Sequence, residues 1–437
     1  MGAPATPWTP APAPPRPPLL GSHRYDVAIV GAGLTGLSAA LELVELDPDR
    51  RVVVVEADHV AAGASGRGTG LLGPRVGPAL TTARRRYGDD VARAAHLWST
   101  EAVRHVTDLV ERHRIPCDLT PGTQLVVAAD AAGAERQRRE ADAARALGLP
   151  ITLLGRDELP RHARGARSGL RYGPAATLDP AALTTALAAL AERRGVVVHE
   201  RSPVRSVRGG LLATVATDRG EVAADDVVVA VNAFGVAPWA PPGVLGVLVQ
   251  AGATGPLPPQ ALAELAGLRA EPLIGAGELS PYYRLTPDRR LVVGGGAVRR
   301  GALGSAAPAP EALRAAARAL SPALRAVELE STWAGPVAMT RDGVPVIGQH
   351  PDDPRIHRAG GCNGHGLAVS AHNGAHLARW IVHGRQDPLS TALPWVRGSA
   401  PWIPGGRLAG RVLDRYLARL SSAADRPTAP LDGGVRA

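Results

Sequence analysis

The segment from Tyr25 to Glu56 constrains the fold more than any other part of the sequence. Its first six residues, YDVAIV, form a short apolar run that predicts a buried parallel strand. The glycine motif GAGLTG at 31–36 follows, and a helical pattern then continues up to Asp47-Pro48, since the residue before proline is pushed out of the helical region. A second strand is predicted at 51–55. Strand, turn, helix and strand together predict a βαβ unit and an α/β fold.

The spacing inside this unit indicates dinucleotide binding. Gly31 permits the tight turn, Gly33 lets a pyrophosphate approach the backbone, and Gly36 lets the helix pack closely on the strand. The helix N-terminus offers N–H groups and the positive end of its dipole to the phosphates. Glu56 stands 20 residues beyond Gly36, where a carboxylate can accept hydrogen bonds from ribose hydroxyls and disfavours a 2′-phosphate. An ordinary glycine-rich turn is the alternative.

Composition excludes several kinds of chemistry. All 49 basic residues are arginine, so the chain has no lysine for a Schiff base or a P-loop. Two cysteines exclude a disulfide scaffold and a multi-cysteine metal site, and His372 with His376 lack a third ligand, so we expect no metal. Scattered arginines and 3% aromatic residues argue against a nucleic-acid partner. No signal peptide or membrane segment is recognisable, so we expect a cytoplasmic protein without a membrane partner.

The pattern changes along the chain. Residues 1–23 are rich in proline and predict a disordered arm. The strand-rich region that ends with VVVAV at 227–231 gives way near Pro238 to a mixed α+β pattern, which predicts a second domain. Near Trp333 the chain is predicted to return to the first domain, ending in a helix that runs through Ile381.

Several motifs carry a resemblance that extends over about residues 24 to 420. They are GASGR (63–67), IPCD with PG (115–122), the strand with Asn-Ala at 227–233, YYRLTPDRRLVVGGG (282–296), WAGPVAMTRDGVPVIG (333–348), GGCNGHG (360–366) and PGGR (404–407). Together with GAGLTG and Glu56, they resemble the D-amino-acid-oxidase superfamily of FAD-dependent amine oxidoreductases. Within it, the gamma-glutamylputrescine oxidoreductases are the most similar group.

The resemblance implies a discontinuous architecture. A Rossmann-like FAD-binding domain of the glutathione-reductase type would be built from 24–85, 150–235 and 330–395. A mixed α+β substrate domain, inserted into it, would comprise 86–149 and 236–329. Residues 396–437 would form a C-terminal segment with a helix and a disordered tail.

The resemblance also implies roles for individual residues toward noncovalent FAD. Gly31, Gly33 and Gly36 would face the pyrophosphate, Glu56 the adenosine ribose, and Val204 the adenine. The flavin side would be lined by Ser65, Gly66, Arg67 and Gly68, and its pyrimidine end by Gly364, His365 and Gly366. Arg67 could instead be a solvated loop arginine, and His365 could contribute only its backbone.

On the substrate side, the resemblance implies that Tyr283 faces the flavin and lines the amine pocket, with Arg284 as a weaker candidate. His365, Tyr283 and Arg67 are therefore the candidate catalytic residues, and His365 or Arg67 would supply the positive charge if O₂ is the electron acceptor. The carboxylate-binding arginine of related oxidases is replaced by Val337, and their lysines by Ala368 and Val292. Their flavin-linked cysteine aligns near Ala338.

The expected function is oxidation of an amine C–N bond by hydride transfer to flavin N5, which gives an imine that hydrolyses to an aldehyde and an amine. The substrate partner would be a small amine, and the electron acceptor O₂ or an unidentified molecule. Two alternatives remain open: an oxidase or dehydrogenase of imino acids or N-methyl amino acids, and a non-catalytic FAD-binding partner protein.

Overall fold

The computed structural model describes residues 6–8, 15–234, 243–277, 280–295, 299–300, 309–397 and 400–401. The PGGR motif at 404–407 and most of the predicted C-terminal segment lie outside these residues. The helices are α1 (Leu34–Leu46), α2 (Ala64–Arg67), α3 (Leu80–Tyr87), α4 (Asp89–His113), α5 (Ala131–Ala146), α6 (Pro180–Arg193), α7 (Pro259–Leu265), α8 (Pro310–Leu320), α9 (Gly366–His383) and α10 (Pro388–Thr391). The strands are β1 (Gly21–Val30), β2 (Val52–Val55), β3 (Leu71–Leu72), β4 (Thr120–Ala128), β5 (Thr152–Gly155), β6 (Ser168–Thr177), β7 (Val197–His199), β8 (Val204–Arg208), β9 (Ala213–Thr217), β10 (Gly220–Val229), β11 (Val244–Pro256), β12 (Leu273–Gly275), β13 (Tyr282–Leu285), β14 (Arg290–Gly294), β15 (Arg299–Arg300), β16 (Leu329–Thr340), β17 (Val346–His350) and β18 (Asp353–Gly360).

The first sheet has the strand order β17-β18-β10-β1-β2-β7, and β9 and β8 extend from β10 as an antiparallel meander. Strands β18, β10, β1, β2 and β7 run parallel, and Val30 lies between Val55 and Val229. All four valines of β2 are buried, as a parallel strand covered on both faces requires. The predicted βαβ unit is therefore confirmed, with β1 starting four residues earlier than expected.

Helices α1 and α9 cover one face of this sheet and pack tightly on each other. A Cβ atom on Gly374 would lie 2.1 Å from the Thr35 carbonyl oxygen, so the two helix backbones touch. Apolar residues of β1, β2, α1, α6 and α9 share one core cluster with those of α4. The close contact places the middle of α9 beside the start of α1.

The second sheet has the order β15-β11-β14-β13-β12-β4-β6-β3, with β16 on β11 and β5 on β6. Its neighbouring strands are antiparallel except for the pair β12 and β4. Helices α7 and α8 cover its outer face, where Leu285, Leu313 and Val293 belong to a separate core cluster. The α/β fold with a second, mixed unit is the predicted class.

The predicted segment boundaries do not coincide with sheet membership. Strands β5 and β6 belong to the second sheet, although residues 150–235 were assigned to the FAD-binding domain. Strand β16 also belongs to the second sheet as far as Thr340, although the return was placed at 330. The apolar alternation of these strands predicts a strand but carries no information about which sheet it joins.

The predicted disorder of residues 1–23 is wrong for the described part of that arm. Arg16, Leu19 and Trp8 are buried, and β1 already begins at Gly21. The backbone of Leu19 donates to Ser202 Oγ at 2.8 Å. A proline-rich composition weakens regular secondary structure, but it does not prevent individual apolar and charged side chains from docking.

Among the described residues, no helix has both the length and the apolar character needed to cross a membrane.

Candidate cofactor and active site

The turn between β1 and α1 is held in a conformation that only glycine adopts readily. Gly31 has φ +104°, its N–H donates to the Val55 carbonyl at 2.9 Å, and a Cβ there would lie 2.8 Å from the Ala230 carbonyl oxygen. A Cβ on Gly36 would lie 2.0 Å from the Gly31 carbonyl oxygen. The glycines therefore let α1 begin directly against the strand, with its N-terminal N–H groups at the edge of the sheet.

Glu56 follows β2 and turns back to this glycine turn. Its Oε2 accepts from the Ala32 N–H at 2.8 Å, and its Oε1 accepts from the Asp58 N–H at 3.0 Å. The backbone N–H of Ser202 donates to the Glu56 carbonyl at 2.8 Å, which brings the start of β8 and half-buried Val204 close by. Two fixed hydrogen bonds leave the carboxylate with further lone pairs for a ligand.

Helix α2 contains the Ser65-Gly66-Arg67 part of the GASGR motif and lies against the start of α1. Ser65 Oγ accepts from the Leu34 N–H at 3.0 Å, and Gly66 is buried. Arg67 is half-buried, and its Nε donates to the Ala62 carbonyl at 2.9 Å. Burial lowers the pKa of Arg67, while the charge of Asp58 opposes that shift. Arg67 is thus not a freely solvated loop arginine, because its side chain folds back on its own loop.

The start of α9 also lies close to the end of α2. A Cβ on Gly68 would meet Pro180 of α6 at 3.9 Å and Leu367 of α9 at 4.0 Å. The starts of α1, α6 and α9 and the end of α2 therefore converge. The structure brings together the predicted cofactor residues of the glycine turn, of 65–68 and of 364–366, with Glu56 and Val204 at the far end.

His365 lies at the N-cap position of α9, with its Nδ1 at 3.1 Å from the Asn363 carbonyl oxygen. Some of its surface is exposed, but removal from water and the charge of Arg75 lower its pKa to about 3. His365 is therefore neutral at pH 7. A neutral imidazole carries no positive charge, so Arg67 is the charged one of the two side chains expected to supply it.

The orientation predicted for Tyr283 is wrong. Its ring lies in the core cluster on the outer face of the second sheet, and its hydroxyl donates to the Ala316 carbonyl of α8 at 2.9 Å. Burial raises its pKa well above the usual value, which is consistent with an un-ionised core tyrosine. Alternation along β13 then turns Tyr282 and Arg284 toward the first sheet.

We use the name cleft face for the side of the second sheet that points toward α2 and α6. Cross-strand pairing places Ala251 opposite Trp333, and Val292 opposite both Ala253 and Arg284, on this face. Trp333 Nε1 donates to the Arg67 carbonyl at 2.9 Å, so α2 is attached to the cleft face. The resemblance implied that Tyr283 points inward and left Arg284 as the weaker candidate, whereas alternation alone shows that the two point apart but not which one points inward.

Arg284 is a buried cation, 2% exposed, on the cleft face. Its Nη1 donates to the Gly70 carbonyl at 2.8 Å and to the Leu178 carbonyl at 2.6 Å. Burial lowers its pKa to about 10, so it stays charged at pH 7, with Asp179 opposing the shift. Arg284 thereby ties the loop after α2 and the segment before α6 to the second sheet.

These residues fit a dinucleotide cofactor with a flavin ring. The cradle at Gly31 and Gly36 admits no side chain, the Glu56 carboxylate is fixed at the end of β2, and helix N-termini converge where phosphate charge would lie. Beyond these groups, Gly335 of β16 lies close to Arg67. Val337 lies on the same face of β16 as Gly335. A planar ring would thus lie between helix starts and an apolar sheet face.

The fold and this site define a flavin-dependent oxidoreductase. Residues 26–380 match the profile of the family described as FAD dependent oxidoreductase (DAO), so the chain belongs to that family, and FAD is its cofactor. The chain is 29% identical over 373 residues to gamma-glutamylputrescine oxidoreductase of Escherichia coli K12, covering 82% of both proteins. It is 27% identical over 378 residues to glycine oxidase of Geobacillus kaustophilus, covering 82% of this chain and 93% of that protein. The crystal structure of glycine oxidase from G. kaustophilus superposes with a TM-score of 0.72 at 22% identity, over 88% of this chain and 100% of that chain.

Proposed function

We propose that the protein oxidises the C–N bond of a small amine with noncovalently bound FAD. The observation that carries the proposal is the convergence of the glycine turn, α2 and the start of α9 on an apolar cleft face. The two named relatives, a gamma-glutamylputrescine oxidoreductase and a glycine oxidase, support the amine class of substrate. When bound, FAD supplies the acceptor for the hydride on the carbon next to nitrogen.

The chain's own residues would position and desolvate the amine. Trp333 is 1% exposed and Val292 is fully buried, so this part of the cleft face excludes water. Removal from water disfavours the charged form of an amine, which keeps a free electron pair on nitrogen. Backbone N–H groups at 364–366, at the positive end of α9, would stabilise negative charge that develops on the ring. Arg67 would supply a positive charge if O₂ is the acceptor.

The positions of the two cysteines support noncovalent attachment. The family position of the flavin-linked cysteine aligns near Ala338, which is buried, and Cys117 is also buried. Burial raises the pKa of Cys117 to about 12 and also raises the pKa of Cys362 in the loop before α9, so both thiols stay protonated at pH 7. Acid precipitation is expected to release the yellow colour into the supernatant, and colour retained in a washed pellet would contradict this.

Anaerobic bleaching of the flavin absorbance tests the function directly. The purified holoenzyme is mixed with polyamines, gamma-glutamylated amines and N-methyl amino acids, with buffer alone as the control. Bleaching by an amine without a carboxylate next to nitrogen supports the proposal. Bleaching only by N-methyl or imino acids would favour the amino-acid alternative. In that case Arg284, a buried cation on the cleft face, would be the positive charge available to the substrate carboxylate. A flavin that no compound bleaches would favour the non-catalytic alternative.

A further inference from the structure

The residues that precede β1 place a tryptophan on the cleft face. Trp8 is 7% exposed, and its Nε1 donates to the Gly68 carbonyl at 2.9 Å. Gly68 ends α2, in the stretch expected to run along the flavin side. The indole thus lies between this stretch and the second sheet, although 200 or more residues separate Trp8 from the cleft-face strands.

Trp8 fills a recess whose walls are small side chains. Its cluster contains Ala181 of α6 together with Ala251, Ala253 and Val292 of the cleft face. Trp333 closes one side, with the two indole rings edge to face and their centroids 6.3 Å apart. The small alanine side chains around the indole cannot fill the space if the ring is removed. Removal of the ring is therefore expected to leave a cavity large enough for a small ligand.

Trp8 also covers the positive charge of the site. The Arg284 guanidinium carbon lies 5.0 Å from the centroid of the Trp8 ring. The π face of an indole attracts a cation at this distance. The ring thereby covers Arg284, whose positive charge would disfavour a protonated amine close to it.

Arg16 anchors the arm from which Trp8 extends. Its guanidinium pairs with Glu192 of α6 at 2.6 Å and with Glu200 at 3.1 Å, and its backbone N–H donates to Glu200 Oε2 at 3.2 Å. Arg16 is 9% exposed, so these bonds are shielded from water. Arg201 donates to the Arg16 carbonyl at 2.9 Å and fixes the backbone as well. These contacts fix the chain, eight residues after Trp8, against α6 and the end of β7.

We propose that Trp8 is a specificity-determining residue of the amine site: its indole forms one wall of the pocket, limits the bulk of the substrate and masks Arg284. The inference rests on the proposed function for its substrate class. The site then selects slender, unbranched amines, because the recess that could hold an aromatic group is already filled by the protein itself.

The test compares Trp8→Ala with the wild-type holoenzyme, using benzyl alcohol as an inert aromatic probe. Binding of the probe is followed by the change in the visible flavin spectrum, so no turnover is needed. Trp8→Ala is expected to bind benzyl alcohol at least about tenfold more tightly than the wild type, because the vacated recess accepts the ring. Trp8→Phe keeps an aromatic wall and is expected to stay within about threefold of the wild type.

Leu20→Ala is the matched control, since Leu20 belongs to the same arm and is 49% exposed. It is expected to behave as the wild type. In turnover, Trp8→Ala is expected to raise the ratio of kcat/KM for benzylamine over that for n-butylamine at least about tenfold, mainly through KM. The FAD dissociation constant is expected to change less than about threefold.

Two results would overturn the inference. The first is an unchanged affinity of Trp8→Ala for benzyl alcohol in a folded protein with full FAD content. The second is a gain of about tenfold or more in FAD affinity on replacing Trp8, which would show that the indole stands where the flavin ring binds. If no amine bleaches the wild-type flavin, the proposed function fails. The benzyl alcohol titration still tests whether the Trp8 indole fills the recess, because it needs no turnover.

Discussion

Replacing Glu56 tests whether the end of β2 holds the adenosine ribose. The Glu56 carboxylate already accepts from the Ala32 N–H at 2.8 Å and from the Asp58 N–H at 3.0 Å, so its remaining lone pairs are fixed in direction. Two ribose hydroxyls bound to a charged acceptor are worth about 2–5 kcal/mol together. Glu56→Ala is therefore expected to weaken FAD binding by about 30-fold to about 4,000-fold.

The assay is a titration of apoprotein with FAD, followed by quenching of FAD fluorescence. Glu56→Gln keeps an oxygen acceptor for the Ala32 N–H and loses the charge, so it separates the local turn from the ribose contact. Asp58→Ala is the matched control, because Asp58 is exposed and its carboxylate pairs with His59 at 3.0 Å. A folded Glu56→Ala protein that binds FAD within about threefold of the wild type would refute the reasoning.

Three further predictions follow from the geometry. Gly36→Ala is expected to lower both the melting temperature and the FAD content, because its Cβ would lie 2.0 Å from a backbone oxygen; an unchanged melting temperature would contradict the contact. Tyr283→Phe is expected to cost about 1 kcal/mol in urea unfolding and to leave kcat/KM unchanged, since its hydroxyl bonds to α8 outside the cleft; a loss of turnover at full stability would return Tyr283 to the site. Burial lowers the pKa of two histidines between α4 and α9 to about 4 in the folded protein, whereas in the unfolded chain the pKa of a histidine is about 6.5. Only the unfolded chain takes up these protons between about pH 6.5 and pH 4, so acid is expected to destabilise the fold over this range. The loss is up to about 1.4 kcal/mol per pH unit and histidine, and equal urea midpoints at pH 7 and pH 5 would contradict it. The histidines with a pKa of about 4 are His105 and His376, and burial also lowers the pKa of His372 beside His105.

Local sequence signals were sufficient for the cofactor end of the site. The turn at Gly31, the helix that ends at Leu46 and the acidic residue after β2 are all read from neighbouring residues, and the structure has them where expected. These features depend on short-range sterics, which are the same in any βαβ unit. Their roles toward FAD remain predictions.

Local signals were insufficient for the substrate end. Alternation along β13 shows that Tyr283 and Arg284 point apart, but the face that becomes the cleft is set by α7 and α8 packing on the other side. The docking of Trp8 depends on partners from strands far along the chain, so no window of sequence around it could indicate a buried residue. Charge pairing of Arg16 with two glutamates nearly two hundred residues away is equally invisible to local patterns.

The order of strands in the first sheet has a consequence for biosynthesis. Residues Val227–Val229 of β10 pair on one side with β1 and on the other with Ile356–Arg358 of β18, which the ribosome adds more than a hundred residues later. A nascent chain therefore exposes an unpaired apolar strand edge throughout that interval. The start of α9, which completes the cofactor cradle, emerges later still. The cofactor cradle is thus complete only after α9 has been made, and protection of the β10 edge until then would favour a high yield of holoprotein.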